Sequence, residues 1–442
     1  MNKYFKLSAI AAGLVASGMA FADTSETKGG IKIKTDDGRF EANVGGRIHF
    51  DGNLIHDDNG AFLNTANGSN STANQANSGF YFRRIYLTLS GKLYGWSYKI
   101  ENDFAPGNKD GAVSSAFQDV WLGTDIGPGM LQIGQRKPFR AMEDLTSSNE
   151  ILMIERPFAS ASGGLLKSGT EREFQDGLFY SGYGDHYTWG TSFTTLRAAQ
   201  GVGTEGWGSS ARGTFAPLNE EGSIIHLGVN ISYEKPENNQ TANTPMAIGS
   251  GSFAYDGRRG ATYNLAMTLR PVTTVGVEYA NVFGPFFAQA EFYNQNLLSD
   301  KAYGGTNALT SSQTVHAYYV QSSVFLTGET KPYKKKDGVF GTPKPNNDFG
   351  AVELTARYDS AQNMDINSTN LSTKPTINGS ATQFCGVSGA DVCKVSAITV
   401  GVNYYVNPNV RFMLNYVMGT ADSGVKGEDK PHTLAARAQL SF

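Results

Sequence analysis

The chain has 442 residues, 37 of them basic and 40 acidic, for a formal net charge of −3. That balance offers no basic surface for a nucleic-acid partner. With 52 Gly, 26 Phe and 21 Tyr, and no later apolar run approaching the roughly 18 residues of a membrane helix, the composition points to one large β-structure.

Residues 1–22 read as a signal peptide. Lys3 and Lys6 make a positive start, Leu7 to Ser17 an apolar stretch, and Ala20, Phe21 and Ala22 an A-x-A cleavage site. Cleavage there leaves 420 residues with 35 basic and 40 acidic side chains, a net charge of −5, in an exported protein. Residues 23–38 are polar and read as a short mobile N-terminal segment. Residues 39–442 show no linker, hinge or shift of composition, and read as a single domain.

Residues 39–54 alternate. Phe40, Ala42, Val44, Ile48, Phe50 and Leu54 oppose Arg39, Glu41, Asn43, Arg47, His49, Asp51 and Asn53, a period of two over sixteen residues. This is long for an ordinary strand and fits a tilted membrane strand with a polar inner face. A polar loop at 57–78 is followed by a hairpin over 80–104, with its turn near Gly91 to Gly95 and aromatic residues gathered beside it, as an interfacial girdle requires. Strands are expected next at 116–124 and 129–136.

The stretch from Leu131 to Lys167 stops being a strand at Lys137–Pro138, because proline has no N–H for a ladder. Beyond it lie Leu145, Ile151, Leu152, Met153, Ile154 and Phe158, among Arg136, Lys137, Arg140 and Arg156. A connection this long is usually functional or disordered, and its apolar content argues against disorder. It reads as a loop folded into the interior of a barrel, where it narrows a pore. Further strands are expected at 173–182, 186–197, 207–216, 222–234, 268–282, 286–297, 314–328, 349–360, 395–406, 409–419 and 432–442. The fold class is therefore an all-β, transmembrane antiparallel barrel of about sixteen strands, with an inward-folded third loop and both termini on the short-turn side. Residues 235–267 leave room for further strand pairs. Residues 330–348, with five lysines, break the rule of short turns on that side. The last strand ends on Phe442 and resembles the assembly signal of bacterial outer-membrane barrels, which places the protein in the outer membrane of a Gram-negative bacterium.

Little in the chain suggests catalysis. GxSxG, HExxH, P-loop and Rossmann patterns are absent from the sequence, so neither an enzyme, a metal nor a cofactor is expected. His49 and Asp51 lie two apart on the inner face, where a polar pore lining explains them better than an oriented imidazole. Cys385 and Cys393 are expected to close a small disulfide loop in an oxidising compartment. Alternation turns Arg39, Arg47, Arg84, Lys92, Lys99, Arg136, Arg357, Arg411 and Arg437 into the lumen. It does the same for Glu41, Asp51, Glu101, Asp103, Asp119, Glu291 and Glu353. Such a mixed lining leaves an anion-selective channel and a general porin equally open.

The segments FRRIYLTLSGKLYGWSYKIENDF, DVWLG, LQIGQRKPF, LTSSNEILMIERP, FLTGETKPYK, GAVELTARYD and NYYVNPNVRFMLNYV resemble the phosphate-selective porin family, also called the porin O and P family. The resemblance implies a trimeric sixteen-stranded barrel, seated among outer-membrane lipid, for passive diffusion of small anions, with phosphate or polyphosphate favoured. It assigns anion contact to Arg83 and Arg84, to Arg47 of the first strand and to Asp119 of the constriction. It also places Tyr86 at an aromatic position, and Lys331, Lys334, Lys335 and Lys336 near the periplasmic vestibule. Arg136, Lys137 and Arg140 join the expected pore set from the inward loop. The chain departs from the pattern at Asn149, where a lysine is expected, and Glu143, Asp144 and Glu150 make the loop acidic. A general porin of weak selectivity, or a structural or adhesive barrel with a closed pore, are the competing readings.

Overall fold

The computed structural model describes residues 24–26, 30–56, 78–105, 116–160, 173–196, 206–235, 264–265, 271–298, 313–364, 376–377, 380–381, 391–392, 394–422 and 428–442. The signal segment, Cys385, Cys393 and nearly all of 235–267 lie outside the described residues.

Sixteen antiparallel strands form a closed ring. They are β1 (Phe40–His56), β2 (Gly79–Leu93), β3 (Trp96–Asp103), β4 (Ala116–Ile126), β5 (Gly129–Arg136), β6 (Gln175–Tyr183), β7 (Tyr187–Leu196) and β8 (Gly206–Glu220). The ring continues with β9 (Ser223–Lys235), β10 (Val272–Phe283), β11 (Phe286–Leu297), β12 (Gln313–Phe325), β13 (Ala351–Asn363), β14 (Lys394–Tyr405), β15 (Val410–Asp422) and β16 (His432–Ser441). β16 closes on β1 with Leu434 opposite Leu54 and Arg437 opposite Asp51. All sixteen expected strands are present, displaced by a few residues at their ends.

Period-two alternation sets the two faces. On β9, Leu227, Val229 and Ile231 stand exposed on the outside, while His226, Asn230 and Ser232 are buried inside. Exposed Tyr94, Trp96, Tyr183, Tyr187, Phe283 and Phe286 ring the short-turn side, where aromatic side chains suit the membrane interface. The turn between β2 and β3 has φ of 50° at Tyr94 and 85° at Gly95, the left-handed pair that a two-residue hairpin demands.

A seventeenth strand lies outside the ring. Residues 31–34, expected as part of a mobile start, pair with β1 instead, Ile31 opposite Val44 and Lys34 opposite Glu41. The physical reason is a vacant edge: β1 runs on beyond the end of β16, and Ile31–Lys34 fills that lane with Ile33 buried. Phe442 sits at the junction, donating from its N–H to the Gly46 carbonyl at 3.0 Å and accepting from the Gly46 N–H at 2.8 Å. Any Cβ at Gly46 would lie 2.7 Å from the Phe442 ring, so the close approach needs glycine there.

The connection from β5 to β6 turns into the barrel. It carries a short helix, α1 (Met142–Leu145). Ala141, Phe158 and Ala159 pack on Val272, Tyr293, Val315 and Val417, and Met142, Leu152 and Met153 on Ile224, Ala280, Val282 and Phe287. The loop thereby covers the inner wall of β9–β15 and touches β1 and β2 at Arg47, His49 and Arg83, leaving a cavity between itself and β1–β5. Its backbone is tied down by buried side chains of the wall, as buried polar groups require. Glu291 accepts from the N–H groups of Met142 at 2.8 Å and Glu143 at 3.0 Å. Asn415 accepts from the Ile154 N–H at 2.8 Å, and Asn403 donates to the Leu152 carbonyl at 3.0 Å. Arg411 donates to the carbonyls of Ile151 at 3.0 Å and Leu152 at 3.2 Å.

From the short-turn side the β12–β13 connection folds up to meet this loop. Its Val339 and Phe340 join the cluster around Met142, Leu152 and Phe287, and Lys334 forms an ion pair with Glu150. Arg411→Leu is expected to leave a heat-modifiable barrel whose inward loop is cut at lower protease concentration. A hydrogen bond to a charged group contributes about 1.5–3 kcal/mol. An unchanged cleavage threshold on gels would show that the apolar contacts alone hold the loop.

Candidate functional site

Loop and wall leave between them an open cavity of about 170 Å³. The wall supplies Arg47, Arg84, Tyr86, Lys99, Glu101, Asp119 and Arg136; the loop supplies Lys137, Leu145, Ser147, Ser148, Arg156, Glu173 and Phe174. Six basic residues thus face three acidic ones in a chain that is acidic as a whole. Screening over about 8–10 Å at physiological salt makes this local balance, and not the overall charge, what sets the field inside the cavity.

Arg47 spans the opening. Its Nη1 donates to Ser148 Oγ at 2.9 Å and Ser147 Oγ at 3.2 Å on the loop, its Nη2 donates to Glu101 at 3.0 Å on the wall, and its guanidinium lies 4.5 Å from the centre of the Tyr86 ring. Lys99 sits 2.5 Å from Asp119 and 3.6 Å from Glu101. Lys137 is paired with Glu173 and donates to the Asp144 carbonyl at 2.5 Å. Arg156 reaches Glu173 at 3.7 Å while its guanidinium donates to the Glu143 and Thr146 carbonyls. Arg136 differs. It stacks 4.7 Å from Phe139 and 5.4 Å from Phe179, bonds to Gln132, and forms no ion pair among the described residues.

Strict alternation would point Arg83 outward, next to inward Arg84. A β-bulge resolves this: Arg84 stands opposite His49 and Phe82 opposite Phe50, so Arg83 is an extra residue with no partner across the ladder. Both arginines reach Glu155, Arg83 Nε donating at 2.7 Å and Arg84 Nη1 lying at 3.7 Å. Arg437, held by Asp51 at 2.7 and 2.8 Å, also donates to Glu155 at 3.2 Å. Burial raises the carboxyl pKa of Glu155, which belongs to the loop and not to a spanning strand; Arg83, Arg84 and Arg437 outweigh this and hold it at about 2. It is an anion at neutral pH.

The other expected residues are placed elsewhere. Arg140 is buried against Glu234 at 2.5 Å, on the far side of the loop from the cavity. Lys331, in the β12–β13 connection, is buried 3.5 Å from Glu353 and 5.0 Å from the centre of the Phe287 ring. Lys334 pairs with Glu150, while Lys335 and Lys336 are exposed on the short-turn side. Of the acidic residues expected on the loop, Glu143 accepts from Gln289 on the wall at 3.0 Å, Asp144 is buried and Glu150 pairs with Lys334, and none of the three lines the cavity. Asn149 faces the wall, its side chain 2.8 Å from His49 and its carbonyl accepting from Gln439 at 3.1 Å. Ser147, Ser148 and Glu173 were not singled out by the sequence, because hydroxyls and a carboxylate in an aperiodic loop carry no pattern.

A closed sixteen-stranded barrel with an apolar exterior and a charged constriction is the architecture of an outer-membrane porin. The family model described as "Phosphate-selective porin O and P" matches residues 49–442, and the chain belongs to that family. Porin O of Pseudomonas aeruginosa is 29% identical to it over 470 residues, covering 99% of this chain and 98% of its own. Among solved structures, the anion-selective porin from Comamonas acidovorans superposes with a TM-score of 0.53 at 10% identity, over 91% of this chain and 99% of that one. The trimer form of OmpT from Vibrio cholerae gives 0.50 at 12% identity, over 91% and 99%. The protein is a porin of the Gram-negative outer membrane, a channel by family and fold.

Proposed function

We propose that this porin passes small anions by passive diffusion and favours phosphate. The observation that carries this is the surplus of basic residues around the cavity, six against three. Guanidinium and ammonium groups replace part of an oxyanion's hydration, and arginine forks match its geometry. The interspersed Glu101, Asp119 and Glu173 keep the attraction weak enough for release, as conduction requires. The Pseudomonas Porin O likeness and the phosphate-selective family description agree with this reading. Exposed Lys335 and Lys336 extend a positive field to the exit on the short-turn side. Assembly as a homotrimer among outer-membrane lipid is part of the proposal, supported by the trimer form of OmpT.

The test is the purified protein in a planar bilayer. A reversal potential of anion-selective sign is expected in a KCl gradient, followed by block of the chloride current at millimolar inorganic phosphate. A cation-selective sign would overturn the anion reading; anion selectivity without phosphate block would leave a general anion porin.

A further inference from the structure

Beside the cavity, the Glu155 carboxylate stands among guanidinium groups as a bound oxyanion would. Arg83 donates to it from Nε at 2.7 Å and from Nη2 at 3.3 Å, and Arg437 from Nη2 at 3.2 Å. The Nη1 of Arg84 stands 3.7 Å away, buried and without a hydrogen-bond partner among the described residues. Carboxylate and phosphate oxygens suit the same arginine forks. Arg84 also lines the cavity, so a permeating anion and Glu155 face one shared guanidinium.

Resting on the anion-channel reading above, we propose that Glu155 is a tethered anion that determines specificity. It occupies the cluster of Arg83, Arg84 and Arg437 and so limits how tightly the constriction holds a permeating oxyanion of the phosphate class. The carboxylate cannot leave with the ions. The Glu155 carbonyl accepts from Arg357 Nη1 at 2.8 Å, and the preceding Ile154 N–H donates to Asn415. Without it, adjacent guanidiniums would present uncompensated charge beside the path, and an ion held too firmly does not conduct.

The experiment is Glu155→Gln in planar bilayers, with inorganic phosphate titrated against the chloride current. Block is expected at a concentration at least about fivefold lower than in the wild type, the factor that one unit charge at 4 Å supplies even at the dielectric of water. Phosphate flux should slow as well. Glu150→Gln removes a loop carboxylate that pairs with Lys334 away from the cavity, and should leave the block where it was. Unchanged or weaker block in E155Q, or an equal shift in E150Q, overturns the proposal. If E155Q fails to form a heat-modifiable barrel, Glu155→Asp keeps the charge but withdraws it by one methylene; stronger block then supports the proposal and unchanged block overturns it. The wild-type reversal potential is read separately. A cation-selective wild type removes the anion-channel reading, whereas an anion-selective wild type with no shift in E155Q removes only the role of Glu155.

Discussion

Replacing residues 143–150 by a Gly-Ser linker of equal length is expected to raise single-channel conductance several-fold and to weaken ion selectivity. The segment carries three of the seven loop residues that line the cavity, Leu145, Ser147 and Ser148. It also holds most of α1, whose first N–H groups rest on Glu291, and Glu150, which ties the loop to Lys334. Flanking residues stay pinned by Arg140 to Glu234 and by Arg411 to Ile151 and Leu152, so the barrel itself should persist. Arg47 would lose the hydroxyls of Ser147 and Ser148 that hold it across the opening. Bilayer recordings check this directly, and wild-type conductance in the replaced protein would place the segment outside the ion path.

Arg136→Glu is expected to move selectivity strongly toward cations. The other cations lining the cavity lie close to a carboxylate, Arg47 to Glu101, Lys99 to Asp119, Lys137 and Arg156 to Glu173, and Arg84 to Glu155. Arg136 is held by aromatic faces and Gln132, so its charge is the least compensated. Reversal changes the local field by two unit charges. At 4 Å each is worth roughly 1 kcal/mol at the dielectric of water, so the swing is about 2 kcal/mol, or roughly thirtyfold in relative permeability. The reversal potential in a KCl gradient measures it. A value equal to that of the wild type would take Arg136 off the path.

The sixteen strands were legible because each carries its own period-two signal, and because the chain keeps the order of long loop and short turn apart from 330–348. The inward loop was legible from Ile151 to Phe158, whose apolar run needs buried partners. Which way its charges point was not. Glu143 and Asp144 make the loop read as acidic, yet both are buried, Glu143 against Gln289 of the wall, because α1 is oriented by Glu291, about 150 positions away in the chain. Arg83 and Arg84 could be recognised as a pair, but only the ladder register shows the bulge that sends both inward. Arg140 looked like its neighbours Arg136 and Lys137 until Glu234 across the barrel claimed it. In each case the deciding contact is remote in sequence, where local alternation carries no information.

The division of the lumen into a packed side and an open side has a consequence for how such a channel can diverge. Anchorage is carried by Glu291, Asn403, Arg411 and Asn415 on β11, β14 and β15, and the lining on the wall side by β1–β5. Of the lining, Arg47 and Arg84 also hold the loop, at Ser147, Ser148 and Glu155. Substitutions at Lys99, Asp119 or Arg136 can therefore retune what the channel passes with little effect on folding, since independent sites add rather than couple. Changes at Arg411 or Glu291 touch the loop's seating first. The solute can thus be changed from one quadrant of the wall while the seating of the loop stays as it is.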